Sequence, residues 1–103
     1  MYRKRKLETY HFTKLLYYFL RHNTDRVCFE KLHGGVLGYY DYGTDEITLD
    51  YRKEIVPTLV HEFIHRLNPH LSETKVIQKE KSIMAVLSHR QCMNILKALA
   101  KCI

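Results

Sequence analysis

The chain has 103 residues, 46% of them hydrophobic, which supplies one modest core and excludes a two-lobed architecture with a cleft between lobes. Lysine and arginine outnumber aspartate and glutamate 17 to 11, and the resulting net charge of +6 suits acidic partners such as nucleic acid or an anionic membrane surface. Cys28, Cys92 and Cys102 are an odd number without a close pair, so the sequence argues against a disulfide framework and against a cysteine-based zinc site.

The positive charge is concentrated at Arg3, Lys4, Arg5 and Lys6, a basic tip that reads as frayed, disordered and solvated over residues 1–6. No stripe of aromatic and basic residues accompanies it, so a nucleic-acid role rests on the tip alone. Glu8, Thr9, His11, Thr13 and Lys14 interrupt any apolar signal core, and no run approaches the ~18 apolar residues of a membrane span. The expectation is a soluble, cytoplasmic protein with no membrane partner.

From Leu7 to Arg21 the residues Leu7, Tyr10, Phe12, Leu15, Leu16, Tyr18, Phe19 and Leu20 make a rough helical stripe, predicting a packing helix. Asn23-Thr24-Asp25 breaks it, and Val27-Cys28-Phe29 opens a β-prone run. His33-Gly34-Gly35 supplies a turn, Val36 to Tyr40 a second strand, Asp41 to Asp45 another turn, and Glu46 to Asp50 a third strand. The pattern predicts a three-stranded antiparallel meander. Gly38 inside the second strand marks a bulge or a close backbone approach.

The next helix runs from Ile55 to Leu67, with Pro57 in its first turn and Asn68-Pro69 stopping it. Ile55, Val56, Leu59, Val60, Phe63, Ile64 and Leu67 fall on one side as a core face, while His61 and His65 sit together on the other. Ser72 caps a following helix with Glu73 in its first turn and Val76, Ile77, Ile83, Met84 and Leu87 as its apolar stripe. Residues 88–103 continue in helical rhythm. Ser88 with Gln91 resembles a capping box, so this tail reads either as a continuation or as a separate fourth helix. The whole is one α+β domain.

His61-Glu62-Phe63-Ile64-His65 carries the chemistry. Two histidines one helical turn apart can grip one zinc ion (Zn2+), and the glutamate between them can address a water on it. Catalytic zinc takes three protein ligands and keeps one open position. Glu73, Glu80 and His70 are the candidates for the third. A short loop after Leu67 turns the next helix back beside the first, which sets Glu73 level with His65 and ranks it first. Glu80, the runner-up, shares its face about 10 Å further on. His70 lies in the turn between. A peptide or protein substrate would align along the second strand, with His33, His89 or a tyrosine as candidate oxyanion donors.

Taken together, Gly38-Tyr39-Tyr40, Ile47-Thr48-Leu49-Asp50, the run from Pro57 to His65, Pro69 and Leu71-Ser72-Glu73 resemble the minigluzincins, very small zincin-type metallopeptidase scaffolds. The resemblance covers roughly residues 27–87. It implies a small antiparallel sheet beside an active-site helix and a glutamate helix, with zinc held by His61, His65 and Glu73 and with Glu62 as general base and acid. One departure stands out: larger gluzincins carry an acidic residue four positions after the ligand glutamate, and here that position is Ile77. The alternatives are a zinc-binding but catalytically silent or self-inhibited interaction module, with the Cys102 thiolate folding back onto the ion, and a basic nucleic-acid-associated protein.

Overall fold

A computed structural model describes residues 2–103. The described residues form four helices and a three-stranded sheet: α1 (Tyr2–His22), a single 3-10 turn (Thr24–Arg26), β1 (Val27–Glu30), β2 (Gly38–Asp41), β3 (Glu46–Asp50), α2 (Ile55–Leu67), α3 (Glu73–Val86) and α4 (His89–Ala100). The α+β class is as expected. The basic residues Arg3 to Lys6, read from sequence as a disordered tip, occupy the first turns of α1 with exposed side chains.

The sheet is mixed, which corrects the antiparallel meander. Its order is β1-β3-β2, with β2 and β3 antiparallel and β1 parallel to β3, Val27 opposite Ile47 and Glu30 opposite Asp50. Two features explain the order. Ile47 and Leu49 of β3 are wholly buried and four of its five residues are buried, as suits the strand at the centre, where both of its edges are paired. Residues 31–37 are also long enough to step across the end of that strand, whereas a two-residue turn would have joined neighbours.

Asp50, at the end of β3, fastens the crossing. Its carboxylate accepts the Leu32 N–H at 3.1 Å, and its own N–H donates to the Leu37 carbonyl at 2.8 Å. The Arg52 guanidinium donates to Asp50 at 2.6 and 2.9 Å and to the Leu32 carbonyl at 3.0 Å. Gly34 and Gly35, at φ of 70° and 77°, turn the chain inside the loop.

α2 lies against the sheet and α1. Leu59, Val60, Phe63 and Ile64 pack with Phe12, Leu16, Phe19 and Leu20 of α1 and with Ile47 and Leu49. Phe63 sits edge-on to Phe12 at 5.5 Å and tilted to Phe19 at 5.4 Å. Part of the expected stripes lies outside this core: Leu67 of α2 and Ile77 of α3 are exposed, and so are Leu7, Tyr10, Leu15 and Tyr18 of α1, whose buried face runs through Thr9, Phe12, Thr13 and Leu16 instead. β2 and α2 approach so closely that a Cβ on Gly38 would lie 2.6 Å from Thr58 Cγ2 and 2.8 Å from the Thr48 carbonyl oxygen. The pairing of Gly38 to Asp41 with β3 is continuous, so this glycine marks a close approach and no bulge.

The Ser88 and Gln91 capping box forms in full, making α4 a separate helix that packs through Ile95 and Leu99. No helix among the described residues is long and apolar enough to cross a membrane.

Candidate metal centre

The i, i+4 spacing on α2 stacks the two imidazoles on the side away from the apolar core, their centroids 5.0 Å apart and their side chains each 16% exposed. Asn68 leaves helical geometry, at φ −135° and ψ 72°, and its N–H still closes onto the Ile64 carbonyl. Four residues later Ser72 caps α3, accepting the Lys75 N–H at 3.3 Å. Because the connection is short, α3 returns beside α2, and Glu73 arrives at the two histidines in its first turn.

Glu73 meets both rings. Its Oε1 is 2.7 Å from His61 Nε2 and its Oε2 is 2.9 Å from His65 Nε2. Donor atoms of His61, His65 and Glu73 all lie within 4.8 Å of one another, a group able to hold a metal ion. Glu80 stands elsewhere: two turns along α3, its Oε1 is 2.8 Å from the other nitrogen of His61, Nδ1. The antiparallel packing explains the difference, since the helix that places Glu73 near His65 must carry Glu80 back past His61. There it fixes the ring's orientation and leaves Nε2 facing Glu73, the arrangement that a histidine able to ligate a metal commonly has. His70 is exposed in the α2–α3 turn and does not join the group.

Burial disfavours charge on His61, but the hydrogen bond with Glu80 and the carboxylates of Glu62, Glu73 and Glu80 outweigh it and raise its pKa. Glu62, 7% exposed, is pushed up mainly by burial, with His61 and His65 pulling in the other direction. The motif glutamate therefore holds a proton more readily than a solvated carboxylate does.

A cavity of about 320 Å³ opens onto the group, lined by His61, Glu62, His65 and Glu73 on one side and by Gly38, Tyr39, Tyr40 and Tyr42 on the other. Of the candidate oxyanion donors, only tyrosines are among its lining residues; His33 and His89 are not. Tyr40 is engaged already, donating its hydroxyl to Asp45 Oδ1 at 2.6 Å. Burial and that carboxylate push its pKa up to about 12. Arg66 grips both Asp45 oxygens at 2.8 and 3.1 Å and lies 4.4 Å over the Phe19 ring. Its hydrogen bonds hold the Asp45 carboxyl below the usual range.

Arg66 follows His65 directly, so this clamp ties the β2–β3 turn to the end of α2 that carries the two histidines. Sequence reading missed it. Its one visible signal is Asp45 itself, whose φ of 57° is a backbone region that aspartate tolerates better than most residues. Cys102 lies far from any role here: its thiol faces the carbonyls of Ala98 and Leu20 at 3.6 and 3.9 Å, within the α1–α4 packing, and burial raises its pKa. Comparison with protein-family models, with curated proteins and with solved structures finds no match to this chain.

Proposed function

We propose that this protein is a zinc-dependent peptidase in which Glu62 serves as general base and then general acid. The observation that carries this reading is the convergence of His61, His65 and Glu73 on one cavity beside a buried Glu62. Two imidazoles and a carboxylate suit zinc and leave a fourth position open, whereas magnesium and calcium take oxygen ligands. When bound, the ion supplies Lewis-acid activation of water and of a carbonyl oxygen.

The chain's own residues do the rest. Glu62 takes a proton from the attacking water and returns it to the leaving amine, a transfer that its raised pKa favours. Glu80 keeps His61 turned toward Glu73. β2 is an edge strand running along the cavity, so its free backbone groups can align an extended peptide.

The test compares wild type with Glu62→Ala on an unfolded protein substrate with zinc present. Cleavage should fall by about 10²–10⁴-fold while zinc content is kept; equal cleavage by both proteins would sink the mechanism. Metal binding is separable, because His61→Ala should lose the ion whatever the activity. Wild type that takes up no zinc would remove the site altogether.

A catalytically silent metal centre has one observation in its favour. Among the described residues Val76 is the one buried position of α3, so an ion held by Glu73 would fasten a helix that packing grips loosely. Zinc retention without cleavage by wild type selects that reading.

A further inference from the structure

A larger cavity, of about 680 Å³, lies between α1 and α3 above the end of α2, and it shares no lining residue with the metal cavity. Its floor is apolar. Leu71 and Ile83 are half-buried there, and Leu15 and Leu67, from the apolar stripes of α1 and α2, line it as exposed residues. Exposed apolar surface gathered into a groove marks an interaction site more often than isolated exposed residues do. The rim is cationic: Arg5 on one wall faces Lys75 and Lys79 on the other, and Glu8 is the one carboxylate among the lining residues. None of the three cations is in an ion pair among the described residues.

We propose that this groove binds an acidic amphipathic helix of a partner protein. Charge selects the acidic partner, since carboxylates flanking an apolar stripe would meet Arg5 on one side and Lys75 and Lys79 on the other. A second copy of this chain, itself at +6, is disfavoured. The walls select the helix. Both are helical and no strand edge lines the groove, so the partner's backbone N–H and C=O groups must be satisfied within the partner itself. From Arg5 to Leu15 the α1 wall extends about 15 Å, which matches roughly three turns of a docked helix.

The experiment is a fluorescence-anisotropy titration of the full chain with a labelled synthetic peptide of about 14 residues, leucine at i, i+3, i+4 and i+7 and mainly glutamate elsewhere. Binding should occur and weaken with salt. It should fall about tenfold or more in Lys75→Glu/Lys79→Glu and in Leu15→Ser, all exposed positions, and persist in the equally charged control Lys97→Glu/Lys101→Glu. Absence of binding would overturn the proposal. So would equal binding of a scrambled peptide of the same composition, or equal loss in the control variant, since either means unspecific charge attraction. Displacement by dodecanoate together with indifference to the peptide's leucine pattern would reassign the groove to a small anionic amphiphile. Self-association of the free chain, abolished by Leu15→Ser, would reassign it to a second copy.

Discussion

At Gly38 the missing side chain is itself a structural requirement. β2 is pressed between Thr58 of α2 and the backbone of β3, and it is this approach that brings Tyr39 and Tyr40 to the histidines. Gly38→Ala would force a methyl to within 3 Å of a backbone oxygen and a threonine methyl, and neither the strand nor the helix can yield alone. We expect a loss of about 1–3 kcal/mol in denaturant unfolding, together with weaker zinc binding under the zinc proposal, because any relief separates β2 from α2. An unchanged unfolding midpoint would show that the approach is slack. The same scale shows what spacing can and cannot convey. The pattern of His61, Glu62 and His65 was legible because a helix fixes which side chains share a face. The Tyr40–Asp45–Arg66 clamp was not, since its members lie on three different elements and no local period links them.

Among the four helices, α3 buries the fewest residues and carries much of the chemistry. α2 buries seven residues, whereas Val76 is the one buried in α3 among the described residues. Beyond Val76 and the half-buried Ile83 and Met84, α3 is held at the site by polar contacts: Glu73 against both histidines and Glu80 against His61. Under the zinc proposal, an ion bound by His61, His65 and Glu73 replaces the direct contacts of Glu73 with the histidines by a stronger link between α2 and α3. Chelating the ion should therefore raise amide hydrogen exchange in α3 well above that in the core of α2, which hydrophobic contacts protect. Equal protection with and without metal would mean that packing alone sets α3.

The end of α2 and the start of α3 were readable because caps and breakers are local, Asn68-Pro69 and Ser72 acting where they stand in the sequence. The Ser88 and Gln91 box left a separate α4 open, and the start of α1 at Tyr2, five residues before Leu7, has no such marker. Strand order was not readable. Val27 to Phe29 reads the same whether it pairs with β2 or β3, and the choice is made by a loop anchored on Asp50, a contact between distant positions. Glu80 is intermediate. Its shared face with Glu73 was visible, but whether it meets Nε2 or Nδ1 depends on how far α3 lies along α2.

For the molecule as a whole, the same anchors set the pH range over which the fold is stable. Asp50 is held well below the usual carboxylate range by the Arg52 guanidinium and backbone and by the Leu32 N–H, and Asp45 is lowered chiefly by Arg66. A depressed folded-state pKa means that below the ordinary value of 3.8 the unfolded chain takes up protons that the native chain resists. Stability from both residues is thus fully present above about pH 4 and lost as the pH falls toward their folded values.

Tyr40 works in the opposite direction. Its pKa rises from 10.0 to about 12, so its contribution is complete below pH 10 and lost as the pH climbs through 12. Unfolding midpoints measured across pH should accordingly form a plateau with two sloping limbs. Asp50→Asn should lower the plateau and flatten the acid limb, because an amide cannot titrate and does not pair with Arg52 as a carboxylate does. Tyr40→Phe should flatten the alkaline limb and leave the acid limb in place apart from the part Asp45 supplies, since Asp45 keeps Arg66 but loses the tyrosine hydroxyl. Limbs of unchanged slope in both variants would place the pH dependence elsewhere in the chain. A change confined to the expected limb in each would tie the crossing loop to acid stability and the tyrosine wall of the metal cavity to alkaline stability.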